Sequence, residues 1–149
     1  MNKAHEIYNG KLTLCELDDF QDTIGDTKPY VVSLCRYPIR NYDGKIHHTY
    51  LNIGISKFSL WLDAVKTVEK LLQDGENVVL HCVYGRDRTG AIAYAVLRRA
   101  NYGYNKTLDT IQKMRPRRAM EWSYLMVDRY EFHEALVNEI EMECWYELR

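Results

Sequence analysis

The sequence predicts an α/β fold built on a central, mostly parallel sheet of four to five strands flanked by helices. Three observations lead there. Short apolar runs alternate with segments of helical periodicity along the chain, the signature of strand and helix in succession. One run, Val78-Val79-Leu80, is apolar at every residue, as a strand covered on both faces requires. And 149 residues suit a single domain, 1–149, able to bury about 70% of its unfolded surface.

Lys11 to Cys15 is expected to form a short strand, Leu17 to Thr23 a short helix, and Tyr30 to Cys35 a buried strand entered from Pro29. The turn-rich stretch from Pro38 to Gly44 leads to a strand over His48 to Ile55. In the helix that follows, Ser59 can cap, Trp61, Val65, Val68 and Leu72 share a face at spacings of four and three, and Gly75 can terminate. After the Val78–Leu80 strand come helices over Thr89 to Ala100, over Lys106 to Met114 before Pro116, and over a long stretch from about Glu121 to Tyr146. The last carries Trp122, Leu125, Phe132, Leu136 and Ile140 on one stripe. There is no internal repeat and no low-complexity segment.

Twenty Lys plus Arg against 21 Asp plus Glu give a net charge of -1, so no global field draws the chain to nucleic acid or to an anionic membrane. No apolar stretch approaches the roughly 20 residues that span a bilayer. The opening Met1-Asn2-Lys3-Ala4-His5-Glu6 lacks the apolar core of a secretion signal, and a cytoplasmic location is expected. Four cysteines without paired spacing suit a reducing compartment. No Cys-x-x-Cys or His-x-x-x-His set offers metal ligands, so neither metal nor cofactor is expected.

The chemistry concentrates in Asn77-Val78-Val79-Leu80-His81-Cys82-Val83-Tyr84-Gly85-Arg86-Asp87-Arg88-Thr89-Gly90. Backbone N–H groups of the short loop Val83 to Arg88 and of the next helical turn can converge on an anion, and the helix dipole adds positive potential. The same field acts on sulfur. Cysteines beside helix N-termini and arginines titrate below the usual value of about 8.5, and the thiolate is the form that attacks phosphorus. Of the four cysteines, only Cys82 has an arginine, Arg88, six positions on. Such a spacing alone is weak. It gains weight from the preceding strand, His81 before the cysteine, Gly85 in the loop, Thr89-Gly90 after the arginine, and the helix-forming Ala91 to Leu97 run.

On His81-Cys82-x5-Arg88-Thr89-Gly90 the chain resembles the cysteine-dependent protein tyrosine phosphatase superfamily, and within it the compact dual-specificity branch. The Tyr30–Cys35 strand, the Tyr50–Ile55 strand and the Arg-rich Met114–Met120 segment fall in the order this resemblance implies. The Gly-basic-Asp-Arg-Thr loop is similar to that of phosphatases acting on phosphoinositides as well as phosphoproteins. The implied fold is dual-specificity-phosphatase-like. The implied activity is phosphomonoester hydrolysis through a phosphocysteine, without metal, on phosphotyrosine or phosphoserine proteins, phosphoinositides or other phosphomonoesters.

In these terms Cys82 is the expected nucleophile and Arg88 the planar fork for two phosphate oxygens. Val83, Tyr84, Gly85, Arg86 and Asp87 complete the cradle. Thr89 is expected to hydrogen-bond the sulfur as a leaving group, to cap the helix, or both, and His81 to orient the loop. The family's acid is usually an aspartate on a loop matching Ile53 to Phe58, where this chain has no carboxylate. Asp43 precedes that stretch and Asp63 follows it inside a helix. Asp87, in the loop itself, is the alternative, since a carboxylate repelled by a bound phosphate dianion favours its protonated form. Capping or pairing with an arginine would equally explain it.

Arg115, Arg117 and Arg118 are expected to form either an anionic-substrate rim or a solvated basic turn. Tyr84 either shapes the pocket floor or packs outward. Cys35, at the end of a strand beside Val78–Leu80, is a possible redox partner of Cys82, because some lipid-phosphatase relatives place a disulfide-forming cysteine there. The alternative is a small buried core residue. Two alternatives stay open: an RNA 5′-triphosphatase of the same fold, the one case in which nucleic acid is a partner, and a phospholigand-binding module without turnover.

Overall fold

The computed structural model describes residues 2–52, 55–85, 87–118 and 129–142. Its strands are β1 (His5–Ile7), β2 (Gly10–Glu16), β3 (Tyr30–Ser33), β4 (Ile46–His48) and β5 (Asn77–Cys82). The helices are α1 (Phe20–Ile24), α2 (Phe58–Gln73), α3 (Asp87–Arg99), α4 (Tyr104–Met114) and α5 (Tyr130–Asn138), with single 3-10 turns at Leu17–Asp19 and Pro116–Arg118. One five-stranded sheet runs in the order β1-β2-β5-β3-β4. Only β1 is antiparallel, so the fold class expected from the sequence is the one found.

The central place of β5 follows from its composition. Val78, Leu80 and Cys82 face one side and Val79 and His81 the other, by the two-residue period of a strand, and both sides are covered. On the first side α2, α3, α4 and α5 pack over Leu12, Leu14, Val32, Leu34, Val78 and Leu80. On the second, Phe20 and Ile24 of α1 close over Cys15, Val31 and Val79. The α2 stripe is the one its spacing predicts: Trp61, Val65, Val68 and Leu72 are all fully buried. Trp61 and Phe132 meet edge to face at 5.3 Å, which docks α5 on α2.

Several expectations are corrected. The strand expected over His48–Ile55 is already complete at His48; the chain then turns, with the Asn52 carbonyl accepting from the N–H groups of Ile55 and Ser56. Ile55 ends up outside the sheet and 76% exposed. Ser59 does not cap α2, which starts one residue earlier with Lys57 at the cap. Thr89 does not cap α3 either, since that helix begins at Asp87. The long last helix ends at Asn138, because Glu139 turns left-handed (φ 57) and is held there by Lys66 at 2.8 Å and Arg99 at 3.2 Å. Ile140, expected on the buried stripe, is exposed. The helical start at Glu121, with Trp122 and Leu125, and the end at Tyr146 lie outside the described residues. Strand β1 was not anticipated; it forms a hairpin with β2 across Tyr8 and Asn9. Among the described residues no helix is long and apolar enough to cross a membrane.

Because β2, β3, β4 and β5 are parallel, the segments that follow them share one edge of the sheet, the edge where open α/β sheets bind ligands. Glu16 is the register partner of Cys82, and Ser33 that of His81. The ends of three strands thus surround Cys82.

Candidate active site

β5 delivers Cys82 to the carboxyl edge, 2% exposed, and α3 starts five residues later at Asp87. The turn between them has a left-handed residue, Gly85 (φ 63). Glycine is required there twice over. A left-handed backbone penalises a side chain, and a Cβ on Gly85 would stand 2.7 Å from the Cys15 carbonyl oxygen and 2.2 Å from an Arg115 nitrogen. The loop is fastened at both neighbouring strands: the Leu17 N–H donates to the Val83 carbonyl at 3.0 Å, and the Leu34 N–H to that of His81 at 3.0 Å. Val83 and Tyr84 are exposed, Tyr84 to 63%, so its ring points outward and does not form a pocket floor. Arg86 lies outside the described residues.

Arg88, second residue of α3, donates to the carbonyls of Leu51 at 3.2 Å and Leu34 at 3.4 Å. Its guanidinium therefore lies over the ends of β3 and of the segment after β4, on the same edge as Cys82. The 13-residue α3 directs its N-terminal end, whose first N–H groups have no intrahelical acceptor and carry partial positive charge, to the loop. The structure places Cys82, Val83, Tyr84, Gly85, Asp87, Arg88 and Thr89 together at the junction of β5 and α3.

His81 is fully buried, and loss of hydration lowers its pKa to about 4, so the ring is neutral near pH 7. Its Nδ1 donates to the Cys82 carbonyl at 3.4 Å and lies 3.6 Å from Cys35 Sγ. Cys35 is itself buried, and its thiol is pushed up to about 11, first by desolvation and then by the charge of Cys82, with Arg88 opposing. It is close enough to feel both groups, and both cysteines are free thiols. Cys15, on the other flank of β5, is raised further by burial and by Asp19. The Thr89 hydroxyl is buried with no hydrogen-bond partner among the described residues, so the bond to the Cys82 sulfur expected of it is not made in the resting chain.

Asp87 pairs with Arg129 at 3.5 Å, across from the start of α5. Pairing with an arginine was one of its expected roles, though its partner was not named. The other carboxylates are less well placed: Asp43 is exposed and bound to Lys28 at 2.9 Å, which holds its carboxyl below the usual range, and Asp63 is exposed on α2. The basic segment corrects the sequence reading most. Arg117 is exposed, but Arg115 is neither rim nor solvated turn: it is fully buried behind Gly85, 3.7 Å from Glu16 and 3.7 Å from Asp19. Arg115 and Arg129 are the two site residues whose positions the sequence did not reveal.

Residues 43–138 match the model of a family described as the tyrosine phosphatase family, which is well over half of the chain. The chain belongs to the tyrosine phosphatase family. Solved structures share its fold. A mutant form of Tk-PTP superposes with a TM-score of 0.61 at 19% identity over 93% of this chain and 96% of that one. Human DUSP28 gives 0.61 at 16% over 92% and 99%. PTPMT1 in complex with PI(5)P gives 0.57 at 16% over 91% and 97%. No match is found among curated proteins.

Proposed function

We propose that this phosphatase hydrolyses phosphomonoesters through a phosphocysteine on Cys82. The observation that carries the reading is the junction of β5 and α3: a cysteine at the carboxyl edge, a turn that only glycine fits, and an arginine in the first turn of the next helix. The Cys82 sulfur attacks phosphorus in line, the S–P bond forms and the bond to the leaving oxygen breaks. Loop N–H groups and the Arg88 fork bind the three non-bridging oxygens of the transferred phosphoryl group, and do so best when these spread into the equatorial plane of the trigonal-bipyramidal transition state. To serve, Arg88 exchanges its bonds to the Leu34 and Leu51 carbonyls for phosphate oxygens.

Asp87 then gives a proton to the leaving alkoxide. In the resting chain Asp87 pairs with Arg129 at 3.5 Å. Water then gives a proton to the Asp87 carboxylate and attacks the phosphocysteine, the O–P bond forming as the S–P bond breaks, and the Thr89 hydroxyl, without a hydrogen-bond partner among the described residues, is available to stabilise the departing sulfur. Phosphotyrosine or phosphoserine proteins and phosphoinositides are the proposed substrates. Exposed Tyr84, Val83, Tyr37 and Ile55, all on segments at the carboxyl edge, support an aryl ester over a polar headgroup.

The test is phosphate release across phosphotyrosine and phosphoserine peptides, phosphoinositides and 5′-triphosphorylated RNA, with Cys82→Ser as the blank, together with acid-quench trapping of a phosphorylated protein. Trapped phosphate on wild type and none on Cys82→Ser is the expected result. Turnover that survives in Cys82→Ser removes the mechanism, and preference for the triphosphorylated RNA replaces the substrate class.

A further inference from the structure

Arg115 lies behind the phosphate loop, out of reach of solvent. Its NH1 nitrogen stands 2.2 Å from where a Cβ on Gly85 would be. Its carboxylate neighbours, Glu16 and Asp19, stop at 3.7 Å, and its Nε, NH1 and NH2 donate no hydrogen bond among the described residues. A fully buried guanidinium with three nitrogens that donate no hydrogen bond among the described residues is costly, and two carboxylates at 3.7 Å, beyond hydrogen-bond length, offset that only in part. Packing explains its reach but not its unused donors.

The loop supplies what is missing. Where successive backbone N–H groups converge on an anion, the carbonyls of the same peptides turn to the opposite side. Arg115 is buried against the loop at Gly85, where it can meet them. The Val83 carbonyl is already taken by the Leu17 N–H, which leaves those of Tyr84 and Gly85. The carboxylates that flank Arg115 are themselves fixed: Glu16 and Asp19 close a reciprocal turn at the end of β2, the Glu16 N–H donating to Asp19 Oδ1 at 3.0 Å, and Glu16 is in register with Cys82.

We infer that Arg115 is a positioning residue for the phosphate loop: as an anion fills the cradle, the carbonyls on the far side of Tyr84 and Gly85 accept hydrogen bonds from its guanidinium. Closing of the loop on phosphate and satisfaction of Arg115 are then one event. Glu16 and Asp19 keep the guanidinium aimed at the loop. The inference rests on the proposal that Cys82 to Arg88 holds a phosphate.

Orthovanadate, a phosphate mimic, is the probe. Arg115→Met keeps the reach without donors, and Arg115→Lys keeps charge with three donors in another geometry. For protein shown folded by far-UV circular dichroism, Arg115→Met is expected to weaken orthovanadate binding by about tenfold or more and to lower kcat/KM in parallel, with Arg115→Lys between it and wild type. A folded Arg115→Met with wild-type orthovanadate affinity overturns the inference, whatever its melting temperature. The wild-type chain gives a second measurement that needs no variant to fold: the Arg115 Nε–H signal in nitrogen-15 NMR should exchange more slowly with solvent once orthovanadate is bound. Equal exchange with and without it also overturns the inference. Failure of wild type to bind orthovanadate at all is a distinct result; it removes the phosphate-loop proposal, and this one with it.

Discussion

Gly85→Ala isolates the geometry on which the site depends. The residue is left-handed at φ 63, and a methyl group there meets the Cys15 carbonyl oxygen at 2.7 Å, its carbon at 2.8 Å and an Arg115 nitrogen at 2.2 Å. An exposed arginine could swing aside, but Arg115 is enclosed, and the Cys15 carbonyl belongs to β2, whose ladder with β5 pairs Cys15 with His81. The loop must therefore yield. A left-handed conformation costs a side chain about 1–2 kcal/mol, and forcing a methyl into a filled space costs about 1–3 more. The expected loss is about 2–5 kcal/mol, a large share of the roughly 5–15 that hold a domain together. In urea titration this lowers the midpoint by roughly 1–3 M.

Activity should fall further than stability, because a displacement on the order of 1 Å in positioning groups can cost about a hundredfold in rate. The measurements are urea unfolding by circular dichroism and kcat/KM on an aryl phosphate under conditions where the variant is folded. A variant within about 0.5 kcal/mol of wild type, with unchanged kcat/KM, would refute both the left-handed turn and the close approach of Cys15 and Arg115.

If Asp87 is the proton donor, Asp87→Asn lowers turnover of alkyl phosphates far more than of aryl phosphates with good leaving groups; equal losses on both assign it to its Arg129 pair alone. Peroxide should oxidise the Cys82 sulfur to a sulfenic acid, which the Cys35 thiol, protonated at neutral pH, can condense with to form a disulfide and water. Cys35→Ser then loses recovery by thiols, and unchanged inactivation and recovery would eliminate the pair. Burial lowers His81 to about 4 and His133 to about 3, while the unfolded chain protonates near 6.5. The unfolded state thus binds more protons below that value, and stability declines as pH falls from about 6.5 toward 4, by about 2 kcal/mol for each histidine at pH 5. Urea midpoints at pH 7 and pH 5 measure this; His133→Phe should remove about half of the difference, and a pH-independent midpoint in the wild type would contradict it.

The parts of this molecule that the sequence reveals are those fixed by local pattern. Val78 to Leu80 can only be a covered strand, the Trp61–Leu72 stripe can only be a one-sided helix, and the nucleophile, loop and arginine are contiguous, so their spacing alone brings them together. Elements decided by single backbone turns were harder. The His48–Ile55 stretch has the residues of a strand, yet only His48 of it belongs to β4, and the chain turns on the Asn52 carbonyl. The helical pattern continues past Asn138, yet Glu139 is drawn into a left-handed cap by Lys66 and Arg99, residues on other helices.

The same reasoning accounts for the two arginines. In Met114-Arg115-Pro116-Arg117-Arg118 the bases look alike, and composition favours water for all of them. What separates Arg115 from Arg117 is not local: the Glu16–Asp19 turn, nearly a hundred positions earlier in the chain, offers carboxylates behind the loop at the depth that Arg115 reaches. A guanidinium is drawn into the interior only where such charges await it, and it stays worthwhile only if its remaining donors are used. The nucleophile's surroundings are therefore written twice in the chain. Cys82 to Thr89 specifies the face that meets phosphate, and Glu16, Asp19 and Arg115 together specify the face that holds its shape.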